Sequence, residues 1–363
     1  MPHNLPHLQE YHSMGKVMSV RGAVDIDALG LVLPHEHLFN DLSSEVAPAA
    51  YQSTRMLADS SVAPELQHLL RQDPYSCLDN VSPKDFHSVV REVEAFTAVG
   101  GKTIVDATGS PSIGRDPINL AAVSEATGVN VIMGTGSYLE KFEREEITAT
   151  SVDNLADHIV SEIDNGVADT GIRPGVIGEV GVSPAFTPAE HASLRAAGLA
   201  QSERPTVGLN IHMPGWQRRG DEVLDILIGE CGVHPGKIAL AHSDPSGGDS
   251  HYQRALLARG VILEFDMIGL DISFPGEGVA PTVTETAHAV ASLVHAGYAD
   301  QIMLSHDLFL KQMWTKHGGN GLVYVPTVFA DLLEANGVAR SDIDRMMRQV
   351  PANWLAADLR GNQ

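Results

Sequence analysis

Short apolar runs rich in Val and Ile alternate with longer amphipathic or Ala-rich stretches from about residue 30 to about residue 310. This alternation is typical of βα units around a parallel sheet. It predicts eight strands: LGLVLPHEH, GKTIVDATG, VNVIMGTG, PGVIGEVG, TVGLNIHM, KIALAHSD, GVILEFDM and QIMLSHD. The pattern therefore predicts an α/β fold, a closed (β/α)8 TIM barrel, with an open doubly wound sheet as the alternative.

The segments on either side of the barrel predict smaller additions to it. GKVMSVRGAVDIDALG predicts a small N-terminal β-hairpin, and VPTVFADLLEANG and ARSDIDRMMRQVPANWLAADL predict C-terminal helices that pack on the barrel. We expect a flexible leader over residues 1–15 and a single domain over residues 16–363. Two regions interrupt the alternation of strand and helix patterns, Leu42 to Val81 after strand one and Ile268 to Pro281 after strand seven. Loops in these places are expected to shape a substrate pocket.

Composition narrows the classes of partner. Acidic residues outnumber basic ones by 46 to 24, for a formal net charge of -22, and there is no Lys/Arg cluster to follow a phosphate backbone. Neither nucleic acid nor a membrane is therefore an expected partner. The two cysteines, Cys77 and Cys231, form no CxxC pattern, and no signal-like or membrane-spanning apolar run is present. We expect a cytoplasmic protein with a small-molecule substrate and, from base rates alone, a homodimer.

Residues of the metal-ligand type stand where the predicted strands end. They are His35, His37, Glu179, His212, His242 and Asp307. Glu179 and His212 are 33 residues apart, His212 and His242 are 30 apart, and His242 and Asp307 are 65 apart, which is close to one, one and two βα units. Each residue is thus expected at a similar height near the mouth of the barrel.

The HEH triplet also predicts the direction in which each of its side chains points. Residues i and i+2 of a strand point to the same side, so His35 and His37 can both face the barrel axis while Glu36 points into the wall. Any single histidine of this kind is more often a hydrogen-bonded core residue than a ligand. Six such residues in βα register favour a metal site.

Four imidazoles and two carboxylates exceed what one tetrahedral zinc requires. They suit two divalent ions bridged by a carboxylate and a hydroxide, a site about one unit positive that attracts a carbonyl or phosphoryl oxygen. Zinc is the expected metal, with manganese, cobalt or iron as alternatives. A non-catalytic metal-binding barrel would keep the same ligands. A mononuclear deaminase would show an HxE-type residue near strand five, which LNIHMPG lacks.

The sequence motifs around these six residues resemble those of a known family. HEH after a strand, VIGEVGVS, IHMPG, LAHSDPS and LSHDLFLKQMWTKHGG resemble the successive motifs of the phosphotriesterase-related family, within the amidohydrolase superfamily of binuclear-metal barrels. The resemblance runs from KVMSVRG to IDRMMRQVPANWLA. It implies that His35, His37 and Asp307 hold the more buried ion, that His212 and His242 hold the more exposed one, and that Glu179 bridges them. The best-known phosphotriesterases bridge with a carboxylated lysine, so Glu179 makes paraoxon-like activity a weaker expectation.

The resemblance also suggests roles around the metals. Asp307 would accept the proton of the hydroxide and hand it to the leaving group, and His306 would have a structural role. Tyr138 occupies a position where related lactonases place an aromatic residue, so its hydroxyl would polarise the substrate carbonyl, or else its ring simply packs a loop. Trp216, Arg218 and Phe274 are candidates for lining the pocket.

These expectations combine into one predicted function. The protein is expected to be a binuclear metal-dependent hydrolase whose bridging hydroxide attacks a carboxylic ester or lactone. An organophosphate triester or an N-acyl amino acid is the alternative substrate.

Overall fold

The computed structural model describes residues 15–356, apart from the side chains of residues 144–148. Its strands are β1 (Lys16–Ser19), β2 (Gly22–Asp25), β3 (Leu31–Glu36), β4 (Gly101–Asp106), β5 (Asn130–Thr135), β6 (Val176–Gly181), β7 (Gly208–His212), β8 (Ile238–Leu240), β9 (Ile262–Phe265), β10 (Ser273–Phe274), β11 (Gly278–Val279) and β12 (Ile302–Leu304). Its α-helices are α1 (Gln67–Leu70), α2 (Leu78–Val81), α3 (Phe86–Ala98), α4 (Pro117–Thr127), α5 (Glu140–Ala149), α6 (Val152–Asn165), α7 (Pro188–Glu203), α8 (Gly220–Leu224), α9 (Ser250–Ala258), α10 (Val283–His295), α11 (Ala330–Ala335), α12 (Arg340–Asp344) and α13 (Val350–Ala356). Turns of π-helix extend three of these: Asp225–Glu230, Val325–Phe329 and Arg345–Gln349.

Eight strands form one parallel sheet, in the order β12-β9-β8-β7-β6-β5-β4-β3. The sheet curls until its first and last strands meet. There the Asp307 N–H donates to His35 O at 3.2 Å, and the His35 N–H donates to Ser305 Oγ at 3.1 Å. The predicted (β/α)8 TIM barrel is confirmed, and each barrel strand lies within one of the eight predicted stretches.

The additions to the barrel are also as predicted. β1 and β2 pair as an antiparallel hairpin. The chain after β12 forms helices over Val325–Phe329 and α11, and then over α12, Arg345–Gln349 and α13. The leader and the domain limits stay predictions, because residues 1–14 and 357–363 lie outside the described range. Within residues 15–356 no helix is long and apolar enough to cross a membrane.

Apolar side chains fill the lower interior of the barrel. Seven strands each contribute one residue to this layer: Val32, Val105, Ile132, Val176, Ala239, Ile262 and Met303. The next residues along the strands, such as Leu33 and Leu240, belong to a separate apolar cluster with the surrounding helices. This is the alternation expected of barrel strands.

Helix α13 closes the N-terminal end of the barrel. Its Trp354 is fully buried in the interior layer, and the indole N–H donates to Lys237 O at 3.0 Å. Gly208 at the start of β7 lies directly against this ring, since a Cβ there would come within 2.7 Å of a ring atom. Because Gly208 has no side chain, the Trp354 ring can pack directly against the start of β7.

We predict that Gly208→Ala destabilises the protein, because either the indole or β7 must move. Overpacking of this kind costs about 1–3 kcal/mol. Urea unfolding followed by circular dichroism should show the loss. Gly229→Ala is the matched control: a Cβ there meets nothing within 4 Å, and Gly229 lies in the helical turn Asp225–Glu230. Equal unfolding midpoints for both variants would show that this contact is unimportant.

Candidate metal centre

The six residues predicted from the strand ends meet at the carboxyl end of the barrel. They are His35, His37, Glu179, His212, His242 and Asp307, and all but the partly exposed His212 are buried. Glu179 lies at their centre: its Oε1 is 3.2 Å from His37 Nε2 and its Oε2 is 3.0 Å from His212 Nδ1. One carboxylate is therefore shared by two sets of imidazoles.

The donor atoms form groups that could each hold an ion. His35 and His37 group with Glu179, and His212 and His242 group with the same Glu179; within each group the donor atoms lie within 4.8 Å of one another. Asp307 extends the first group, with Oδ1 3.2 Å from His37 Nε2. Two donor groups joined by a carboxylate form the arrangement that holds a bridged pair of divalent ions.

A β-bulge in β3 turns His35 toward the barrel axis. Leu33 pairs with Ile104 and Glu36 pairs with Asp106, so β3 has one residue more than β4 between these pairs. Leu33 packs with the outer helices. Strict alternation would therefore send His35 outward too, but one extra residue reverses the direction of the side chains that follow it.

A β-bulge in β6 likewise turns Glu179 toward the barrel axis. Ile177 pairs with Leu209 and Val180 pairs with Ile211, which again leaves one extra residue, here in β6. Ile177 and Val180 both belong to the outer cluster. Glu179, two residues after Ile177, reaches the axis only because of this shift in register.

Two further site residues have unusual backbone conformations. His242 and Asp307 follow the ends of β8 and β12 with φ values of 56° and 54°. Such left-handed conformations cost a residue other than Gly about 1–3 kcal/mol. Hydrogen bonds hold them in place: both carboxylate oxygens of Asp266 accept from His242 N at 3.0 Å, and His35 O accepts from Asp307 N.

Partners at Nδ1 fix the rings of three imidazoles. The pairs are His37 with Thr108 Oγ1 at 2.8 Å, His242 with Asp266 Oδ1 at 2.9 Å, and His35 with Glu264 Oε2 at 3.4 Å. Each Nε2 is left facing the centre, which is how ligating histidines are usually oriented.

Glu36 faces away from the axis, as expected, and holds the segment around Asp307. Its carboxylate accepts hydrogen bonds from Ser305 Oγ, from His306 N and Nδ1, and from Leu308 N, at 2.7–3.0 Å. The other ring nitrogen of His306 accepts from Val325 N at 2.9 Å. Both nitrogens of His306 are therefore engaged in the fold, and this imidazole is not available as a ligand.

The electrostatics of the centre favour positive charge. Burial opposes a charge on His35, yet the carboxylates of Glu179 and Asp266, with Glu264, outweigh it and raise the pKa of His35 to about 10. Burial likewise opposes a charge on His37, but Asp307 and Glu179 raise its pKa to about 9.

One buried nitrogen atom without a hydrogen-bond partner indicates that the residues suit a metal ion. His35 Nε2 has no hydrogen-bond partner among the described residues, and it lies 3.6 Å from Glu179 Oε2 and 3.9 Å from Asp307 Oδ1. A cation between these atoms would give the imidazole a partner and the carboxylates a counter-charge. Imidazole nitrogen with carboxylate oxygen is a donor set suited to zinc and its neighbours. The residues therefore fit a pair of divalent ions.

A cavity of about 780 Å³ opens above the centre. Its floor includes His37, Glu179, His212, His242 and Asp307. Both insertions predicted to shape a pocket contribute to its walls. Four aromatic residues form one side: the ring of Phe274 lies 5.9 Å from Tyr75, 6.1 Å from Trp216 and 6.3 Å from Phe309.

The predicted substrate contacts divide into two sets. Tyr138, Trp216 and Phe274 line the cavity. The Tyr138 hydroxyl lies 3.3 Å from His212 Nδ1. Burial, together with the charges of Glu179 and the other carboxylates, raises the pKa of Tyr138 well above its usual value, so this phenol remains a donor.

The expectation for Arg218 is wrong. Its side chain lies outside the cavity lining, with the guanidinium 3.5 Å from Asp249 Oδ2 and stacked over the ring of Tyr252 at 5.1 Å. Asp249 is the N-cap residue of α9 and Tyr252 lies in its first turn, so the ion pair and the ring draw the arginine toward that helix.

Several residues around the centre were not predicted from the sequence. Glu264 lies in the last two residues of the apolar strand β9 and Asp266 directly follows it, so the rule that found the six ligand-type residues applies to them as well. Tyr75 and Phe309 lie in loops, where no pattern predicts which side chain enters the cavity. Lys84 is buried with its Nζ 3.0 Å from His37 O and from Phe309 O, and no local sequence pattern indicates this.

A parallel barrel with two donor groups sharing a carboxylate at its carboxyl end defines the class of binuclear metal-dependent barrel enzymes. The model of the Phosphotriesterase family matches residues 15–355, and the chain belongs to this family, as its motifs predicted. It is a hydrolase by family, and the clustered His, Asp and Glu side chains supply the donors that the family's metal centre needs.

Three similar proteins illustrate the range within this family. N-acetyltaurine hydrolase of Danio rerio is 31% identical over 348 residues, which cover 94% of this chain and 98% of that one. A resiniferatoxin-binding protein from Rhodobacter sphaeroides is 41% identical, with a TM-score of 0.91 over 94% of this chain and 95% of that one. A mutant phosphotriesterase-like lactonase of Deinococcus radiodurans is 26% identical, with a TM-score of 0.73 over 93% and 99%.

We predict that metal analysis finds close to two divalent ions per chain and that Glu179→Gln lowers this toward one or none, because an amide cannot bridge as a carboxylate does. Inductively coupled plasma mass spectrometry measures the content. Glu222→Gln, the same change at a half-exposed carboxylate, is the control. Unchanged metal content in Glu179→Gln would exclude a bridging role for Glu179.

We also predict that metal binding weakens as the pH falls. In the metal-free protein the pKa values of His35 and His37 are raised to about 10 and about 9, so protons occupy these imidazoles below those values and must leave as ions bind. Affinity should rise with pH up to about pH 10, the higher of the two pKa values, where this competition ends. Competition with a chelator of known proton affinity measures it, and a constant affinity between about pH 6 and pH 9 would contradict the argument.

Proposed function

We propose that the protein hydrolyses a neutral carboxylic ester or lactone at this centre, with zinc as the expected metal and manganese, cobalt or iron as alternatives. The observation that supports this best is the position of the donor cluster, five of whose six residues form the floor of a roomy, aromatic-lined cavity. Two divalent ions held there would polarise a carbonyl and lower the pKa of a water molecule.

The charges of the cavity wall support a neutral substrate. Glu45, Glu140 and Glu277 line it, and Lys141 is the one Lys or Arg among the described lining residues. Lys141 is itself paired with Glu45. An anionic substrate would therefore approach through a negative potential, whereas a neutral ester would not be repelled.

Two side chains of the cavity would take part in the reaction. Asp307 lines the floor beside His37, so it can accept the proton of the attacking water and return it to the leaving group. The Tyr138 hydroxyl, beside His212, can donate to the carbonyl oxygen as negative charge develops there. The walls contributed by Phe274 and Trp216 would hold the apolar part of the substrate.

An N-acyl amide is a second candidate, because a relative that is 31% identical over nearly its whole length is an N-acetyltaurine hydrolase. N-acetyltaurine carries a sulfonate as well as an amide. Such an anion would need a cationic contact, and Lys141 could provide it only by giving up its pairing with Glu45.

A substrate panel distinguishes these possibilities. The zinc-loaded protein is assayed with lactones, aryl esters, N-acetyltaurine, N-acyl amino acids and a phosphotriester, and we expect the lactones or esters to show the highest kcat/KM. Asp307→Asn should lower kcat by about 100-fold or more, the usual contribution of a general base or acid. Asp221→Asn, at an exposed position, is the control.

Each other outcome contradicts part of the proposal. Faster turnover of the amides would assign the amide function, and faster turnover of the phosphotriester would assign that of a triesterase. Full activity of Asp307→Asn would remove its proton-transfer role. A metal-loaded protein that hydrolyses none of the compounds would favour a non-catalytic metal-binding barrel.

A further inference from the structure

Trp216, in the loop after β7, packs against the hairpin formed by β10 and β11. A Cβ on Gly278 of β11 would come within 2.2 Å of Cε2, 2.4 Å of Nε1 and 2.5 Å of Cδ2 of this indole. Because Nε1 and Cδ2 are both bonded to Cε2, these distances place the glycine over the flat face of the ring. The indole N–H also donates to Val279 O at 3.2 Å. One contact and one hydrogen bond therefore hold the ring against the hairpin backbone.

Gly278 is required for space and not for backbone conformation. Its φ lies outside the left-handed range, unlike that of Gly276 at the turn of the same hairpin, where φ is 83°. A residue with a side chain could therefore adopt the backbone of Gly278, but its Cβ would overlap the indole. The identity of this residue thus decides where Trp216 can lie.

The indole lies between Gly278 and the cavity. Trp216 lines the cavity, whereas Gly278 does not. The ring of Phe274 lies 6.1 Å from the indole, so the two rings belong to the same aromatic wall. One face of the indole is covered by the hairpin, and the rest of its surface borders the cavity. A ring pushed off the hairpin would therefore enter space that a substrate can occupy.

The hairpin is held more firmly than the indole. The Ser273 N–H donates to Arg71 O at 2.7 Å, which ties the hairpin to the insertion at residues 42–81, and β10 pairs with β11. The indole has a single N–H, and its bond to Val279 O is the one hydrogen bond that keeps the ring in place. A side chain on residue 278 would therefore displace the ring rather than the hairpin.

We propose that Gly278 is a positioning residue that sets the size of the group the cavity accepts. Without a side chain there, the indole lies back against the hairpin and leaves a subsite in front of Trp216 and Phe274 for a bulky apolar group of the substrate. At about 780 Å³ the cavity falls within the range of sites for drug-sized ligands, so a compact ester or lactone would fill only part of it. The identity of the substrate rests on the proposed function, whereas the subsite itself depends on the fold alone.

The first test compares a compact with a bulky substrate of the zinc-loaded protein. In Gly278→Ala we expect kcat/KM for δ-decalactone to fall about 10-fold or more, the usual effect of a methylene group in an apolar pocket. The loss should appear in KM, and both constants for δ-valerolactone, which lacks the pentyl chain, should stay unchanged. Gly248→Ala, at a loop position where a Cβ meets nothing within 4 Å, is the control.

A second comparison determines whether Gly278 acts through the indole. In Trp216→Leu the ring is absent, so adding Gly278→Ala should change the preference for δ-decalactone no further. An equal loss with and without the indole would overturn the proposal, as would a Gly278→Ala protein with the selectivity of the wild type.

Fluorescence reports the position of the ring without any hydrolysis. Trp216 is partly buried, whereas Trp314 and Trp354, the other two tryptophans of the chain, are 2% and 0% exposed. Acrylamide should therefore quench mainly Trp216. We expect Gly278→Ala to raise this quenching, because the ring loses its cover, and unchanged quenching would refute the displacement.

If Gly278→Ala does not fold, the wild type decides. Pentyltetrahydropyran, an ether with the shape of δ-decalactone and no ester bond, should shield Trp216 from acrylamide, whereas tetrahydropyran should not. Equal quenching with the two ethers would overturn the proposal. Shielding in a protein that hydrolyses no ester or lactone would support the subsite and contradict only the proposed function.

Discussion

Four carboxylates, those of Glu179, Asp307, Glu264 and Asp266, are buried close together at the carboxyl end of the barrel, and their charge governs how this end is built. A carboxylate removed from water is costly unless it is paired. In the described part of the chain their partners are imidazoles, an amide and backbone N–H groups, and none of the four is paired with Lys or Arg. In the metal-free protein, protonated His35 and His37 supply balancing positive charge, and divalent ions at the two donor groups would take over this role.

This requirement explains where the backbone departs from regular geometry. The bulges of β3 and β6 and the left-handed conformations of His242 and Asp307 all occur at donor residues. Each departure costs stability, and the regular parts of the molecule offset it. Ordinary packing rules hold for the surrounding helices, for the apolar lower barrel and for Trp354. The irregular backbone conformations are therefore concentrated at the residues that supply donor atoms.

The fold could be predicted from the sequence because its signals are local and repeated. Val-rich runs and βα spacing indicate the barrel, and polar residues that end such runs indicate the six donors. The HEH triplet correctly placed His35 and His37 on one side and Glu36 on the other. It could not reveal the bulge, because the register depends on how two strands pair and cannot be derived from the sequence of either strand alone.

Loops were less predictable for a related reason. Arg218 was expected in the cavity, but its guanidinium pairs with Asp249, the N-cap residue of α9. Tyr75 was not anticipated, because its ring reaches Phe274 only after the insertion at residues 42–81 has folded against the loop that follows β9. In each case a contact between distant segments fixes the direction of the side chain, and no local pattern records it.

The division between strands and loops also bears on specificity. Strands and the turns that follow them hold the donor residues, whereas loops supply the aromatic wall and the charged rim. Relatives that share the barrel can therefore differ in substrate, as the names N-acetyltaurine hydrolase and lactonase show. In this chain the pairing of Lys141 with Glu45 sets the charge of the rim. While that pair holds, the rim stays negative, which disfavours the approach of anionic molecules.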